Sequence, residues 1–195
     1  IFQTPIPGDG DITALAVMDG ALFVFKRREV YAIAGEAPSD NGASGGLGAP
    51  RRVSCDVGCI DSRTTCTTAL AIFFQSERGI EVLTRAQSVE WIGEPFLTTL
   101  ASFPVCTSIT VEPVSNTVRV ELAASESAGL VTGSGCTLVY DLSLRCWVSK
   151  DIRTAQEVLG RPSQSACMLY TGTAWRYAWL STDARVFCET PGTSL

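Results

Sequence analysis

The same strand-turn-strand unit recurs four times along this chain, with different letters but one order of apolar and turn residues. Ala21 to Phe25 (ALFVF) turn through Lys26-Arg27-Arg28 and return as Glu29 to Ile33 (EVYAI). Leu70 to Gln75 (LAIFFQ) turn through Ser76-Glu77-Arg78-Gly79 and return as Ile80 to Thr84 (IEVLT). Cys136 to Asp141 (CTLVYD) turn at Leu142 to Arg145 and return as Cys146-Trp147-Val148, and Trp175 to Leu180 pair with Ala184 to Cys188 across Ser181-Thr182-Asp183. An isolated hairpin buries only one face and is marginal in water, so four in series must stack on one another or close into a ring. The expectation is an all-β chain: a β-propeller, or a propeller fragment, built from about four antiparallel hairpin repeats.

Period-two patterning rich in Val, Ile, Phe, Tyr and Thr supports strands around 12–17, 51–55, 109–111 and 118–122 as well. No dozen-residue window carries a capped helical stripe, and Thr154 to Leu159 is the best short helix candidate. Asp19-Gly20, Ser115-Asn116 and Thr171-Gly172 supply residues suited to tight bends. Turns at Gly20, Leu70, Asn116 and Gly172 fall 50, 46 and 56 residues apart by subtraction of their numbers, a spacing expected of propeller blades. Gly35 to Pro50 (GEAPSDNGASGGLGAP) and Ala123 to Gly135 (AASESAGLVTGSG) read as exposed loops within one domain spanning residues 1–195. The first is Gly-rich, but no Lys-Ser or Lys-Thr follows and no helix opens after it, so it lacks the parts of a phosphate-binding P-loop. The opening at Ile1 without an initiator Met suggests a piece of a longer polypeptide, so the repeats form a small complete ring or an arc of a larger one.

A net charge of −5 argues against general attraction to phosphate backbones. No apolar run approaches the roughly 20 residues that a membrane span needs, so no membrane insertion is expected. The eight cysteines sit mostly in strand-like apolar contexts and read as small buried hydrophobes. Cys55, Cys59 and Cys66 form the tightest group, yet without CxxC pairs or any histidine a zinc site is not expected, and an incidental disulfide is the other alternative.

The lack of histidine also removes Ser-His-Asp and Cys-His nucleophile systems. A carboxylate pair for glycoside hydrolysis would have to come from acids such as Asp56, Asp61, Glu77 and Glu81, which fall at turns or strand ends where solvation is the commoner explanation. Asp9-Gly10-Asp11 lacks the remainder of a calcium loop. Lys26-Arg27-Arg28 reads as a solvated hairpin tip, with a salt bridge to an adjacent subunit as the alternative. Trp91, Trp147, Trp175 and Trp179 read as aromatics wedged between sheets rather than exposed stacking platforms. No catalytic, cofactor-binding or metal-binding residue is therefore assigned, and no enzyme activity or cofactor is expected.

Ile12-Thr13-Ala14-Leu15, Met18-Asp19-Gly20-Ala21-Leu22-Phe23-Val24-Phe25 and Val30-Tyr31-Ala32-Ile33-Ala34-Gly35 together resemble the first blade of bacteriophage tail and neck β-propeller proteins. The likeness continues through Val53 to Gly58 (VSCDVG), Ser62 to Thr65, Ile72 to Arg78 (IFFQSER), Gly79-Ile80 and Trp91-Ile92-Gly93, and in pattern alone through Val139-Tyr140-Asp141 before Cys146-Trp147. The resemblance, to tail nozzle and packaged-DNA stabilisation subunits, implies a non-catalytic virion component assembled in the host bacterial cytoplasm. Copies of the chain would form a ring, commonly of six, around the DNA exit channel. Tail tube or adaptor proteins would lie on one side and a needle or fibre on the other, with DNA passing without sequence readout. The tube-forming platform of a complete nozzle is not recognisable in the chain. The alternative expectation is a carbohydrate-recognising propeller, either a receptor-binding module or a glycosidase.

Overall fold

A computed structural model describes residues 4–36, 46–127, 130–153 and 162–189. The described residues are all-β, with four antiparallel sheets of three or four strands, none of them closed on itself, and a further two-stranded pairing. It divides into two compact units, Ile1–Pro95 and Phe96–Leu195.

In the first unit, β1 (Ile12–Met18), β2 (Ala21–Lys26) and β3 (Val30–Ile33) run as a meander. A small clasp of β4 (Gly35–Glu36) and β5 (Gly46–Leu47) follows, and β6 (Arg51–Arg52) returns to complete the sheet in the order β1-β2-β3-β6. The second sheet is a meander of β7 (Thr65–Thr67), β8 (Ala71–Gln75), β9 (Ile80–Thr84) and β10 (Val89–Trp91). Its first strand lies against β1, so the sheets meet through their leading strands. The turn between β1 and β2 places Asp19 and Gly20 at φ 52° and 73°, the two left-handed positions that a two-residue hairpin of this twist needs.

Alternation along β2 sends Phe23 and Phe25 to one face and Val24 to the other. The Phe face joins Ala14, Met18, Val30, Ala32, Val53 and Cys59 with Ile72, Phe74 and Leu83 of the second sheet in one core. The Phe25 and Phe74 rings lie 5.1 Å apart across it. Each such fully buried side chain contributes roughly 1.5–3 kcal/mol before the entropy of ordering it. On the opposite face, Val24, Tyr31 and Ile33 are covered by Ile6 and Leu22.

In the second unit a short helix, α1 (Leu97–Ser102), precedes a sheet of β11 (Val105–Glu112), β12 (Thr117–Ser127), β13 (Leu130–Asp141) and β14 (Cys146–Arg153). A three-stranded meander follows: β15 (Ser163–Tyr170), β16 (Trp175–Ser181) and β17 (Val186–Cys188). The leading strands β11 and β15 again lie against each other, and the Thr110 hydroxyl donates to the Ala166 carbonyl at 3.2 Å.

Val118, Val120 and Leu122 of β12 stand opposite Tyr140, Leu138 and Cys136 of β13, forming an apolar face. The helix end is fixed to this sheet by Phe96 packing edge-on to Trp147 at 5.3 Å and by the Lys150 ammonium donating to Thr99 at 2.8 Å. The other face of β12 carries Arg119 and Glu121 toward the three-stranded sheet.

All four expected hairpins are present, as β2–β3, β8–β9, β13–β14 and β16–β17. Three occupy second and third place in their sheets; the β13–β14 hairpin stands third and fourth, because β11 and β12 add a longer hairpin ahead of it. The turns at Gly20, Leu70, Asn116 and Gly172 each join the first and second strands of a sheet. The segment expected as a loop, Ala123 to Gly135, instead extends the β12–β13 ladder, with Ser125 opposite Thr132 and Ser127 opposite Leu130. The strand expected over 51–55 shortens to Arg51–Arg52, and β15, β10 and α1 were not anticipated. The helix candidate at 154–159 and the middle of the Gly35 to Pro50 segment lie outside the described residues.

Candidate functional site

Polar side chains form networks in each unit, and the charged residues singled out in the sequence all lie in the first unit. In the first unit the β2–β3 and β8–β9 turns present their charges to one another. Glu77 accepts from Arg27 at 2.5 Å and from Arg28 at 3.1 Å, so two residues of the basic triplet bridge to the neighbouring sheet of the same chain. These hydrogen bonds hold the Glu77 carboxyl below its ordinary range, Arg27 contributing most. Lys26, the third, is turned inward and donates its ammonium to the Gly8 carbonyl at 2.7 Å.

Glu81 is fully buried on β9, on the face it shares with Phe74. A buried carboxylate needs compensation, and Arg78 supplies it through two N–H donors at 2.9 and 3.0 Å, with the Ser76 hydroxyl at 3.0 Å. The same guanidinium covers the Trp91 ring, 5.0 Å from its centroid. Asp61 caps the Ser62–Thr64 turn through the Arg63 amide at 2.8 Å and pairs with the Arg63 side chain at 2.6 Å, which lowers its pKa. Asp56 lines a shallow, open depression of about 490 Å³ with Arg52, Val53, Ser54 and Cys55. Three of the four candidate acids, Asp61, Glu77 and Glu81, thus each accept from an arginine side chain.

In the second unit the network lies between the two sheets. Glu121, 1% exposed, accepts from the Tyr177 hydroxyl at 2.7 Å and from Thr137 at 2.9 Å. Two positions earlier, Arg119 lies over the Tyr177 ring at 4.5 Å and pairs with Glu112 at 2.8 Å and Glu189 at 2.5 Å. Burial acts to lower the Arg119 pKa, but Glu189 and Glu112 outweigh it and hold the group above its ordinary value. The network ties β11, β12, β13, β16 and the residue after β17 together. Its chemistry is positional: satisfied buried polar groups fix which face docks on which and in what register.

All eight cysteines are free thiols. Cys59, Cys106 and Cys136 are buried as expected, whereas Cys146, Cys167 and Cys188 are exposed. Burial pushes the Cys55 and Cys59 thiols up, away from the nucleophilic thiolate. Among the described residues no group of His, Cys, Asp and Glu could hold a metal ion. Trp91, Trp147 and Trp179 are half-buried, while Trp175 is 51% exposed, against the expectation that it wedges between sheets.

Neither the inter-sheet bridges nor Glu121 was named from sequence, because Glu121–Tyr177 and Arg119–Glu189 join residues 56 and 70 positions apart. The available signal was a pair of charged residues alternating with Val118, Val120 and Leu122 in a strand otherwise fit for a core. A scan against protein-family models finds no match, and a search of curated proteins finds no relative.

Proposed function

We propose that this chain is a non-catalytic structural subunit of a phage virion tail, its four sheets serving as blades of a β-propeller. The observation that carries this reading is the serial build: meander sheets follow one another, and within each unit the leading strand of one lies against the leading strand of the next. Blades in a propeller are connected in this way. The resemblance of residues 12–93 to tail and neck propellers supplies the setting: a ring of copies around the DNA channel, between tube or adaptor and needle or fibre. The polar networks suit that role, since they commit arginines and carboxylates to holding sheets together. An acidic subunit, at −5, lets DNA pass without adhering. Among the described residues no helix is long and apolar enough to cross a membrane.

Cryo-electron microscopy of the purified chain tests the reading. Class averages with sheets arranged as spokes around a channel, in particles of cyclic symmetry, are the expected result. Two-lobed monomers without a channel would overturn it.

A further inference from the structure

Tyr170 and Trp175 are the exposed aromatic side chains among the described residues, at 55% and 51%; all other described rings are buried or half-buried. They face each other on the last rung of the β15–β16 ladder and therefore share one side of the sheet. The ring centroids are 5.4 Å apart with the planes inclined at 55°, an open V rather than a closed stack. Two rungs back, at the next position on this face, Tyr177 lies beneath Arg119 and Glu121 and is 2% exposed. The neighbouring sheet thus covers this face as far as Tyr177 and leaves the final pair open to solvent.

The pair is also fixed in place. The Tyr170 hydroxyl donates to the Gly172 carbonyl at 3.1 Å, so the ring is tied across the turn that follows it. The Thr171 amide and hydroxyl both donate to the Ala174 carbonyl, at 3.0 and 3.1 Å, and close that turn. Gly172 supplies the left-handed φ of 89° that the turn requires. Two rings held apart and half in water give up part of the transfer free energy that burial would supply. A preorganised aromatic surface offers a ligand contact at little entropic cost.

We propose that Tyr170 and Trp175 form a stacking site for a pyranose ring of a carbohydrate. Size separates this occupant from a protein partner. Two half-exposed rings offer on the order of 200 Å², a fraction of the roughly 800 Å² per partner of a stable protein interface. One sugar ring has a flat C–H face of matching extent, and its rim of hydroxyls meets the exposed polar turn of Thr171, Gly172 and Thr173. Charge separates it from nucleic acid, whose binding rests on cations along the backbone path. Of the cations near the pair, Arg119 on this face is paired with Glu112 and Glu189, and Arg176 projects to the opposite side of the sheet and donates to the Glu189 carbonyl at 3.3 Å. The site does not depend on the tail assignment and holds whatever larger structure the chain belongs to.

The test is a titration of the 195-residue chain with the methyl glycosides of glucose, galactose, mannose and N-acetylglucosamine, followed by tryptophan fluorescence and ligand-detected NMR. A saturable response to at least one glycoside in the millimolar range is expected. It should weaken about tenfold or more in both Trp175→Ala and Tyr170→Ala. It should persist in Val186→Ala, which trims an exposed side chain on the opposite face. Far-UV circular dichroism and urea midpoints establish that each variant is folded. Two substituted residues, both at the surface, leave the test intact if one variant misfolds. The absence of a saturable response to any of the four glycosides overturns the proposal, as does a response that survives Trp175→Ala. Quenching by the oligonucleotide dT8 without any response to sugar would also overturn it and reassign the rings to base stacking.

Discussion

The backbone of Gly58 lies against the carbonyl of Lys26 so closely that a side chain of any size would collide with it, and with the backbone of Glu29 as well. The glycine of Cys55-Asp56-Val57-Gly58-Cys59 is therefore a point of close approach between the segment leading into the second sheet and the β2–β3 turn. Gly58→Ala has no flexible side chain to push aside, and it should lower stability by about 2–3 kcal/mol. Urea denaturation, with an unchanged slope and a lower midpoint, checks this.

Tyr177 and Glu121 provide the corresponding test in the second unit. Tyr177→Phe keeps the ring beneath Arg119 but removes the hydroxyl donor from a carboxylate that is 1% exposed. Stability should fall by about 1–3 kcal/mol, the range for leaving a buried acceptor short of a partner. Equilibrium unfolding in urea checks this.

Backbone conformation sets two predictions of opposite sign. Ala184 holds φ 63° in the β16–β17 turn, a region that costs a residue with a Cβ about 1–2 kcal/mol. Ala184→Gly should therefore stabilise, by about 0.5–1 kcal/mol after the added freedom of the unfolded chain. Gly20 sits at φ 73° with open space where a Cβ would stand, so Gly20→Ala should destabilise by about 1 kcal/mol through backbone strain alone. Thermal melting of both variants reads the two signs directly.

The clamp between Arg27, Arg28 and Glu77 should appear in the pH dependence of stability. A carboxyl whose folded pKa is depressed contributes stability above its unfolded value. That contribution is lost as pH falls through the folded pKa. Glu77 has an ordinary value of 4.5, so the loss should begin near that pH and continue below it. Asp61, also lowered, acts in the same direction from its ordinary value of 3.8. Glu77→Gln should flatten the curve below pH 4.5 relative to the parent chain. Raised salt should shrink the difference at neutral pH, since the pair is exposed.

The hairpins were legible because their signals are local. Period-two patterning and turn residues such as Asp19-Gly20 and Asn116 act within a few positions, and they mark the joint between first and second strands. Ala123 to Gly135 misled because its Ala, Ser and Gly composition imitates a loop. Its strand character comes instead from pairing across the ladder, Ala123 with Gly135 and Ser125 with Thr132. Ser163–Tyr170 was hidden for the same reason, being poor in β-branched residues. What joins one sheet to the next lies farther from view. Glu77 with Arg27 and Tyr177 with Glu121 span 50 and 56 positions, and no pattern in the strands names those partners. The exposure of Trp175 follows likewise from where the neighbouring sheet ends rather than from the letters around it.

The central claim, a structural subunit of a virion tail, is tested most directly by cryo-electron microscopy of purified virions labelled with antibody fragments raised against the Gly35 to Pro50 segment. The account predicts label arranged as a ring about the tail axis, with the copy number read from its symmetry. Virions without label, together with a chain that remains monomeric in solution, would contradict it.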